Sequence, residues 1–163
     1  MARTVKIRQA KPLDTVNLMT LLMDAHEDSG AYPEFDIQLG LNWVTRTLNE
    51  GYVLVADVSG RTVGTLALTQ YNFPWSPQVY LYLEWLFVQK LFRKGGTFNA
   101  LIKAAHAFAD EHSLPLLAGV SAGDAEVIKK DRLFQRSGYK YMGGDFIRSA
   151  HGRKQEEGNQ AGI

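Results

Sequence analysis

The stretch from Tyr80 to Lys103 constrains the fold of this chain more than any other. Every residue from Tyr80 to Val88 is apolar or aromatic except Glu84, which is typical of a strand covered on both faces. The apolar residues that follow the next turn repeat with a helical period, and they are Phe98, Leu101, Ile102, Ala105, Phe108 and Ala109. The sequence therefore predicts a strand, a basic glycine turn and a helix in direct succession.

The turn between this strand and helix has the composition of an anion site. The first turn of a helix has unpaired amides and the positive end of the helix dipole, and glycines let a phosphate approach the backbone closely. Gly95 and Gly96 supply the glycines, and Arg93 and Lys94 supply positive charge. One interpretation is a pyrophosphate site, and the other is an ordinary solvated turn. The phosphate loop of nucleotide hydrolases is excluded, because no Lys-Ser or Lys-Thr pair follows Gly96.

The segment from Val88 to Phe98 resembles the acyl-coenzyme A binding motif of the GNAT N-acyltransferase superfamily, R/Q-x-x-G-x-G/A. Arg93 and Gly96 match its first two fixed positions, whereas Phe98 stands where the family has Gly or Ala. The order of elements from Val5 to Ile147 fits as well. The resemblance implies a single α/β (α+β) domain with a mixed, mostly antiparallel twisted sheet of six or seven strands and about four helices. It also implies that strands 4 and 5 splay apart.

The same resemblance implies that acetyl-coenzyme A is the co-substrate and that no metal takes part. Backbone amides near Phe87 and Val88 would stabilise the oxyanion, and the exposed strand edge would pair with the pantetheine arm like an added strand. The residues expected to contact the coenzyme are Phe87, Val88, Arg93, Lys94, Gly95, Gly96, Thr97, Phe98 and Phe134.

Glu84 is the candidate general base. An ionised carboxylate inside a covered strand costs free energy unless it is paired, hydrated or partly neutral. The residue pattern alone leaves two interpretations open, a base or a carboxylate that is exposed or paired with a basic neighbour. Many superfamily members carry a Glu four residues before the valine that Val88 matches. The resemblance therefore implies that Glu84 deprotonates a primary amine, often through water, and that the amine attacks the thioester directly.

The segment from Leu133 to Tyr139 resembles the late F-Y-E-K-x-G-F segment of the family. Phe134 stands where members commonly have the tyrosine that protonates the leaving thiolate. Water, Tyr139 or Tyr141 can supply that proton instead. The alternative hypothesis is a catalytically silent domain that binds a small ligand or a protein partner. We favour activity, because general-acid help accounts for about two to four powers of ten in rate.

The acceptor site is the least defined part of the sequence. Five acids, Asp24, Glu27, Asp28, Glu34 and Asp36, form either a solvated acidic edge or a negative rim that attracts a cationic amine. The aromatic and proline-rich segment 71–77 is expected to pack in the core under the sheet, with lining of the acceptor pocket as the second interpretation. By resemblance, the connection between the first two helices closes over the acceptor. The expected acceptor contacts are Glu27, Tyr32, Glu34, Phe35, Tyr71 and Tyr82.

The remaining segments predict an alternation of strands and helices. The predicted elements are a strand at 5–8, a helix capped by Asp14 with a buried stripe that includes Val16, a helix at 36–49, a hairpin turning at Ser59-Gly60, a strand at 116–121, a helix ending at 137–138 and a closing hairpin at 139–147. We assign residues 1–149 to one domain and predict a polar, disordered tail at 150–163.

Composition limits the classes of partner. The formal net charge is +1 over 163 residues, which argues against nucleic acid as the main partner. The chain has no cysteine, so disulfides and thiol chemistry are excluded, and its four histidines lack ligand spacing, so we expect no metal site. No apolar span suits a bilayer, which predicts a cytoplasmic protein without membrane contact. The expected partner is a small-molecule or peptide amine, and the resemblance is compatible with a homodimer.

Overall fold

The computed structural model describes residues 4–29, 34–119 and 127–141. The elements in these ranges are β1 (Val5–Gln9), α1 (Thr15–Ser29), α2 (Ile37–Glu50), β2 (Tyr52–Val58), β3 (Arg61–Asn72), β4 (Val79–Val88), α3 (Thr97–Glu111), β5 (Leu116–Ala118) and α4 (Val127–Arg136). Short 3₁₀ segments precede α1 and α3, at Pro12–Asp14 and Lys90–Gly95. No helix within these ranges is both long and apolar enough to cross a bilayer.

The five strands form one sheet in the order β1-β2-β3-β4-β5. The first four pair antiparallel, and β5 pairs parallel to β4. The prediction of a mixed, mostly antiparallel sheet with about four helices is confirmed, although the described residues contain five strands rather than six or seven. Residues 139–141 of the predicted closing hairpin are irregular. The rest of that hairpin and the predicted tail at 150–163 lie outside the described residues.

Helices cover both faces of the sheet. On one face, α3 packs its apolar stripe against strand residues, and Leu101 and Ala105 are fully buried there with Leu66. On the other face, α1 and α2 pack Leu18 and Val44 against β2 and β3. This arrangement explains why the central residues of β2 and β3, 53–56 and 63–68, are all buried, because both of their faces are removed from water.

The start of α1 differs from the prediction. Asp14 does not cap that helix but ends the preceding 3₁₀ segment, and its carboxylate accepts hydrogen bonds from the Lys11 N–H (2.7 Å) and the Arg8 guanidinium (2.8 Å). The Arg8 hydrogen bond holds the pKa of Asp14 below its usual range. Arg8 also donates to Asp57 of β2. Arg8 therefore links the Asp14 carboxylate, just before α1, to the sheet. Val16, predicted to be buried, is 75% exposed.

The segment 71–77 is the tip of the β3–β4 hairpin. The pairs Tyr71↔Tyr80 and Asn72↔Val79 continue the two strands to this end of the sheet. Trp75 is 81% exposed and stacks on Phe73, with ring centroids 5.4 Å apart. The prediction that this segment packs in the core is therefore wrong. Strand pairing extends the hairpin, and its aromatic rings then stack mainly on one another.

Candidate active site

Glu84 is the extra residue of a β-bulge in β4. The pairs Leu68↔Leu83 and Ala67↔Trp85 are adjacent in the register, so Glu84 has no partner on β3. Leu83 packs in the cluster with α3, whereas Trp85 packs in the cluster with α1 and α2. The bulge therefore turns the consecutive side chains of Glu84 and Trp85 toward the same helical layer. A regular strand would have placed them on opposite faces.

Two donors from α2 hold one oxygen of the Glu84 carboxylate. Trp43 Nε1 donates to Oε1 over 3.1 Å, and an Arg46 terminal nitrogen donates to the same oxygen over 3.3 Å. Trp43 also packs edge-on against Trp85, with centroids 5.2 Å apart. The side chain of Glu84 is 23% exposed. Within the part of the chain that the structure describes, no side chain bonds Oε2, so this oxygen is available to a substrate or to water.

Sequence reasoning missed Trp43 and Arg46. Their spacing of three residues places them on one face of α2, and that is the signal that could have paired them. The strand residue that this face meets could not be predicted, because the contact joins positions 41 and 38 residues apart. The structure shows the pairing of the second interpretation, because Glu84 contacts the basic Arg46. The role of Glu84 as a base stays a prediction.

At the carboxyl end of β4, no strand of the described residues pairs with the backbone edge that faces away from β3. The Gln89 N–H bonds Val63 O over 2.9 Å, so Phe87, two residues earlier, also turns its amide toward β3. Val88 therefore directs its N–H and C=O to the opposite edge, where β5 pairs only with Leu81–Leu83. In the described ranges no strand pairs with that N–H. One of the two amides predicted to serve a ligand, that of Val88, is thus available for it.

The glycine turn leaves open space in front of α3. Gly96 has φ +81° and directly precedes α3, which begins at Thr97 as predicted and has no side-chain cap. A Cβ built at Gly95 or Gly96 meets no atom within 4 Å. The start of α3 therefore combines first-turn amides that have no side-chain cap with open space at the preceding glycines, a combination that suits an anion.

Arg93 is an exposed residue that bonds two groups of the protein. Its Nε donates to Val88 O over 2.8 Å, and its guanidinium pairs with Asp28 of α1 over 2.5 Å. Lys90 pairs with the other oxygen of Asp28 over 2.6 Å. Burial raises the pKa of Asp28, but the bonds from Lys90 and Arg93 outweigh it, so the pKa lies below the ordinary value. Arg93 thus anchors the turn to β4 and α1, and Lys94 is an exposed cation beside the glycines.

Three acids of the predicted negative rim are bound to other groups. Asp28 pairs with two cations, Asp24 accepts from Gln89 Nε2 over 2.6 Å, and Asp36 caps α2 by accepting from the Leu39 N–H. Two others, Glu27 and Glu34, are exposed. Within the described residues, only Asp28 therefore has its charge compensated by cations, and the rim that the sequence predicted for a cationic acceptor loses one of its five charges.

Of the other predicted acceptor contacts, Tyr71 and Tyr82 lie next to each other. Phe35 packs edge-on against His26, with centroids 5.4 Å apart, and Tyr32 lies outside the described residues. Tyr82 lies two residues before Glu84 and 6.0 Å from Tyr71, between ring centroids. A Cβ at Gly119 would lie 2.8 Å from the Tyr82 hydroxyl. Tyr82 therefore reaches the end of β5 and can contact a molecule bound beside Glu84.

Phe98, Phe134 and Tyr139 form a chain of edge-on rings on the α3 face. Their centroids are 6.0 Å and 5.2 Å apart, and Phe134 is part of the core. The Tyr139 hydroxyl is buried without a hydrogen-bond partner in the described residues, and burial raises the pKa of Tyr139 to about 12. Tyr141 is 63% exposed. A phenol with so high a pKa is a weaker acid than a thiol, whose ordinary pKa is about 8.5.

No family model and no curated protein matches the sequence. Solved structures do match it. A possible acetyltransferase from Clostridium difficile 630 is 17% identical with a TM-score of 0.73, covering 90% of this chain and 97% of that one. The aminoglycoside N-acetyltransferase AAC(6')-Iy, in complex with CoA, is 16% identical with a TM-score of 0.71, covering 93% and 97%.

A ribosomal-protein-alanine N-acetyltransferase from Brucella melitensis biovar Abortus 2308 is 17% identical with a TM-score of 0.68, covering 90% of this chain and 99% of that one. Identities this low concern the fold and leave the reaction undefined. The sheet order, the bulged fourth strand and these likenesses agree with one another. The chain has the fold of the GNAT acetyltransferases.

Proposed function

We propose that this protein is an N-acetyltransferase that moves an acetyl group from acetyl-coenzyme A to a primary amine. The observation that carries the proposal is the bulge in β4, which turns the Glu84 carboxylate to the α2 layer four residues before the unpaired Val88 amide. A base and an oxyanion donor thus belong to one short segment. Among the similar structures, one was solved with CoA and another with acetyl-CoA.

The glycine turn fits the diphosphate of the coenzyme. The open space at Gly95 and Gly96 and the uncapped start of α3 suit a doubly charged anion. The exposed Lys94 adds a cation that makes no ion pair in the described ranges. Arg93 contributes by holding the turn against Val88 and Asp28, and the Val88 N–H would donate to the thioester oxygen as negative charge develops there.

Glu84 acts as the base in this mechanism. It takes a proton from the amine, directly or through one water, at the oxygen that no side chain occupies. The neutral nitrogen that remains after the ammonium group loses this proton forms a bond to the acetyl carbon and gives its second proton to water, while the carbon–sulfur bond breaks and the thiolate leaves with the electron pair. The thiolate takes a proton from water or from the exposed Tyr141, since the buried Tyr139 phenol gives up its proton less readily than a thiol does.

The second candidate function is a silent binding domain on the same fold. The contact between Phe98 and Phe134 favours it, because Phe134 is buried in the core and carries no hydroxyl where the superfamily commonly has one. Under this hypothesis the glycine turn still binds a phosphorylated ligand. A small-molecule or peptide amine as acceptor, a homodimer and a cytoplasmic location remain proposals under either candidate.

Calorimetry and a thiol-release assay test the proposal together. We expect acetyl-coenzyme A to bind the wild-type protein and Glu84→Gln with the same affinity. Glu84 bonds to Trp43 and Arg46 of α2 and not to the glycine turn. Turnover with an amine panel should fall about 10²- to 10⁴-fold in Glu84→Gln and stay unchanged in the control Glu111→Gln, an exposed residue at the end of α3. Unchanged turnover in Glu84→Gln would refute the role of Glu84 as general base. If the coenzyme does not bind at millimolar concentration, the proposed acetyltransferase activity is wrong.

A further inference from the structure

We propose that the acceptor is a zwitterion, a primary amine with a carboxylate on the same carbon as in a free amino acid, and that Arg46 binds its carboxylate. This inference rests on the proposed function, since it names the substrate class of the same site. The juxtaposition that supports it is the Arg46 guanidinium beside the Glu84 carboxylate, 3.3 Å apart.

The Arg46–Glu84 pair is loose enough to accept a third group. A single 3.3 Å contact joins the two side chains, and the Arg46 side chain is 55% exposed against 23% for Glu84. An exposed single-contact ion pair contributes little stability. A guanidinium has five N–H donors in a planar fork that fits a carboxylate through two parallel bonds. Arg46 can therefore bind a substrate carboxylate while it remains beside Glu84.

The charges of the pair are complementary to those of an amino acid. The ammonium group of an incoming amino acid meets the Glu84 carboxylate, and its carboxylate meets Arg46. An amine that lacks the carboxylate brings its positive charge next to the guanidinium with no compensating contact. The site therefore discriminates against simple cationic amines.

The surrounding charges do not reverse this preference. Asp24, Asp28 and Asp36 are each bound to a group of the protein, as described above. Glu27 and Glu34 belong to α1 and to the segment before α2, whereas the carboxylate that meets the amine lies in β4. Lys90 and Arg93 compensate the charge of Asp28, and none of the five acids pairs with Arg46 in the described residues.

Trp43 holds the Glu84 carboxylate in place and provides a fluorescence signal for ligand binding. Its indole N–H bonds the same Glu84 oxygen over 3.1 Å, so the carboxylate keeps a partner when Arg46 turns toward a ligand. Trp43 and Trp85 lie next to each other at the site, and tryptophan fluorescence therefore responds to a ligand there. Trp75 is 81% exposed at the hairpin tip, and Trp75→Phe removes its background signal.

Matched trios of acceptors test the inference. Each trio contains an amino acid, its amide and its decarboxylated amine, and the set covers small, aromatic, acidic and basic side chains. For at least one trio we expect kcat/KM to favour the amino acid by about ten-fold or more, the scale of a charge-assisted hydrogen bond. Arg46→Ala should bring this ratio toward one.

The matched control is Arg61→Ala, which should keep the ratio. Arg61 is exposed at the start of β3, six residues and roughly 20 Å of strand from the position opposite the bulge. If acetyl-coenzyme A is used but no trio favours the amino acid, or Arg46→Ala keeps the preference, the inference is wrong and the proposed function stands.

If no amine is acetylated, the proposed function fails and binding decides the inference. The Trp75→Phe protein is then titrated with the same trios and followed by fluorescence. A saturable change with amino acids that is lost in Arg46→Ala supports the zwitterion site. An equal response to the decarboxylated amines, or no response to any member of the set, overturns it.

Discussion

Each face of the sheet contains a polar group among apolar side chains, and the two groups differ in their hydrogen-bond partners and in their access to solvent. On the α1/α2 face, the Glu84 carboxylate accepts bonds from Trp43 and Arg46 and stays 23% exposed. On the α3 face, the Tyr139 hydroxyl is buried without a partner in the described residues. This contrast indicates that a polar group can take part in a reaction when hydrogen-bond partners orient it and solvent reaches it. Burial alone only makes it costly.

The largest expected effect is a loss of turnover, and it tests the contrast between the two faces of the sheet. Glu84→Gln should reduce kcat/KM by about 10²- to 10⁴-fold, whereas Tyr139→Phe should change it by no more than a few-fold, because the buried phenol keeps its proton. The thiol-release assay measures both variants side by side. An equal loss in the two variants would give Tyr139 a chemical role and end the contrast between the faces.

The next effect concerns the glycine turn, which follows the end of β4. Gly95→Val fills the space in which a Cβ meets no atom within 4 Å, so the protein should fold normally while acetyl-coenzyme A binds about ten-fold or more weakly through loss of amide contacts. Calorimetry measures the Kd. The control Ala107→Val introduces the same side chain on the exposed side of α3. Unchanged affinity in Gly95→Val would place the coenzyme elsewhere.

A smaller effect is expected on stability. Tyr139→Phe removes a buried hydroxyl that has no partner in the described ranges, so the free energy of unfolding should rise by about 1 kcal/mol at neutral pH. Urea denaturation measures it, with Tyr141→Phe as the control because Tyr141 is 63% exposed. A clear loss of stability would mean that the hydroxyl has a hydrogen bond in solution.

The last prediction concerns how the same residue makes stability depend on pH. Burial raises the pKa of Tyr139 to about 12 from the model-compound value of 10.0, so the unfolded chain loses this proton first as pH rises. The associated stability is complete below about pH 10 and declines up to about pH 12. Tyr139→Phe should show a shallower decline over this window in urea denaturation. Equal slopes for the two proteins would mean that the phenol is not shielded from water.

Local patterns in the sequence predicted much of the framework. The run from Tyr80 to Val88, the start of α3 at Thr97 and the turn at Ser59-Gly60 were all predicted and are observed. Each depends on side-chain alternation, helical period or turn residues within a few positions of the chain. The packing of the 71–77 segment was predicted wrongly, because the exposure of Trp75 depends on how far β3 and β4 continue to pair.

The sequence by itself determined most of the elements, since helical period, apolar runs and turn residues are local properties of the chain. Only the tertiary structure decided the chemistry of the candidate site. The bulge at Glu84 comes from the register between two strands, and the contacts of Glu84 with Trp43 and of Arg93 with Asp28 join residues 41 and 65 positions apart. Such contacts leave no periodic trace in a single chain, because they depend on the relative placement of whole elements.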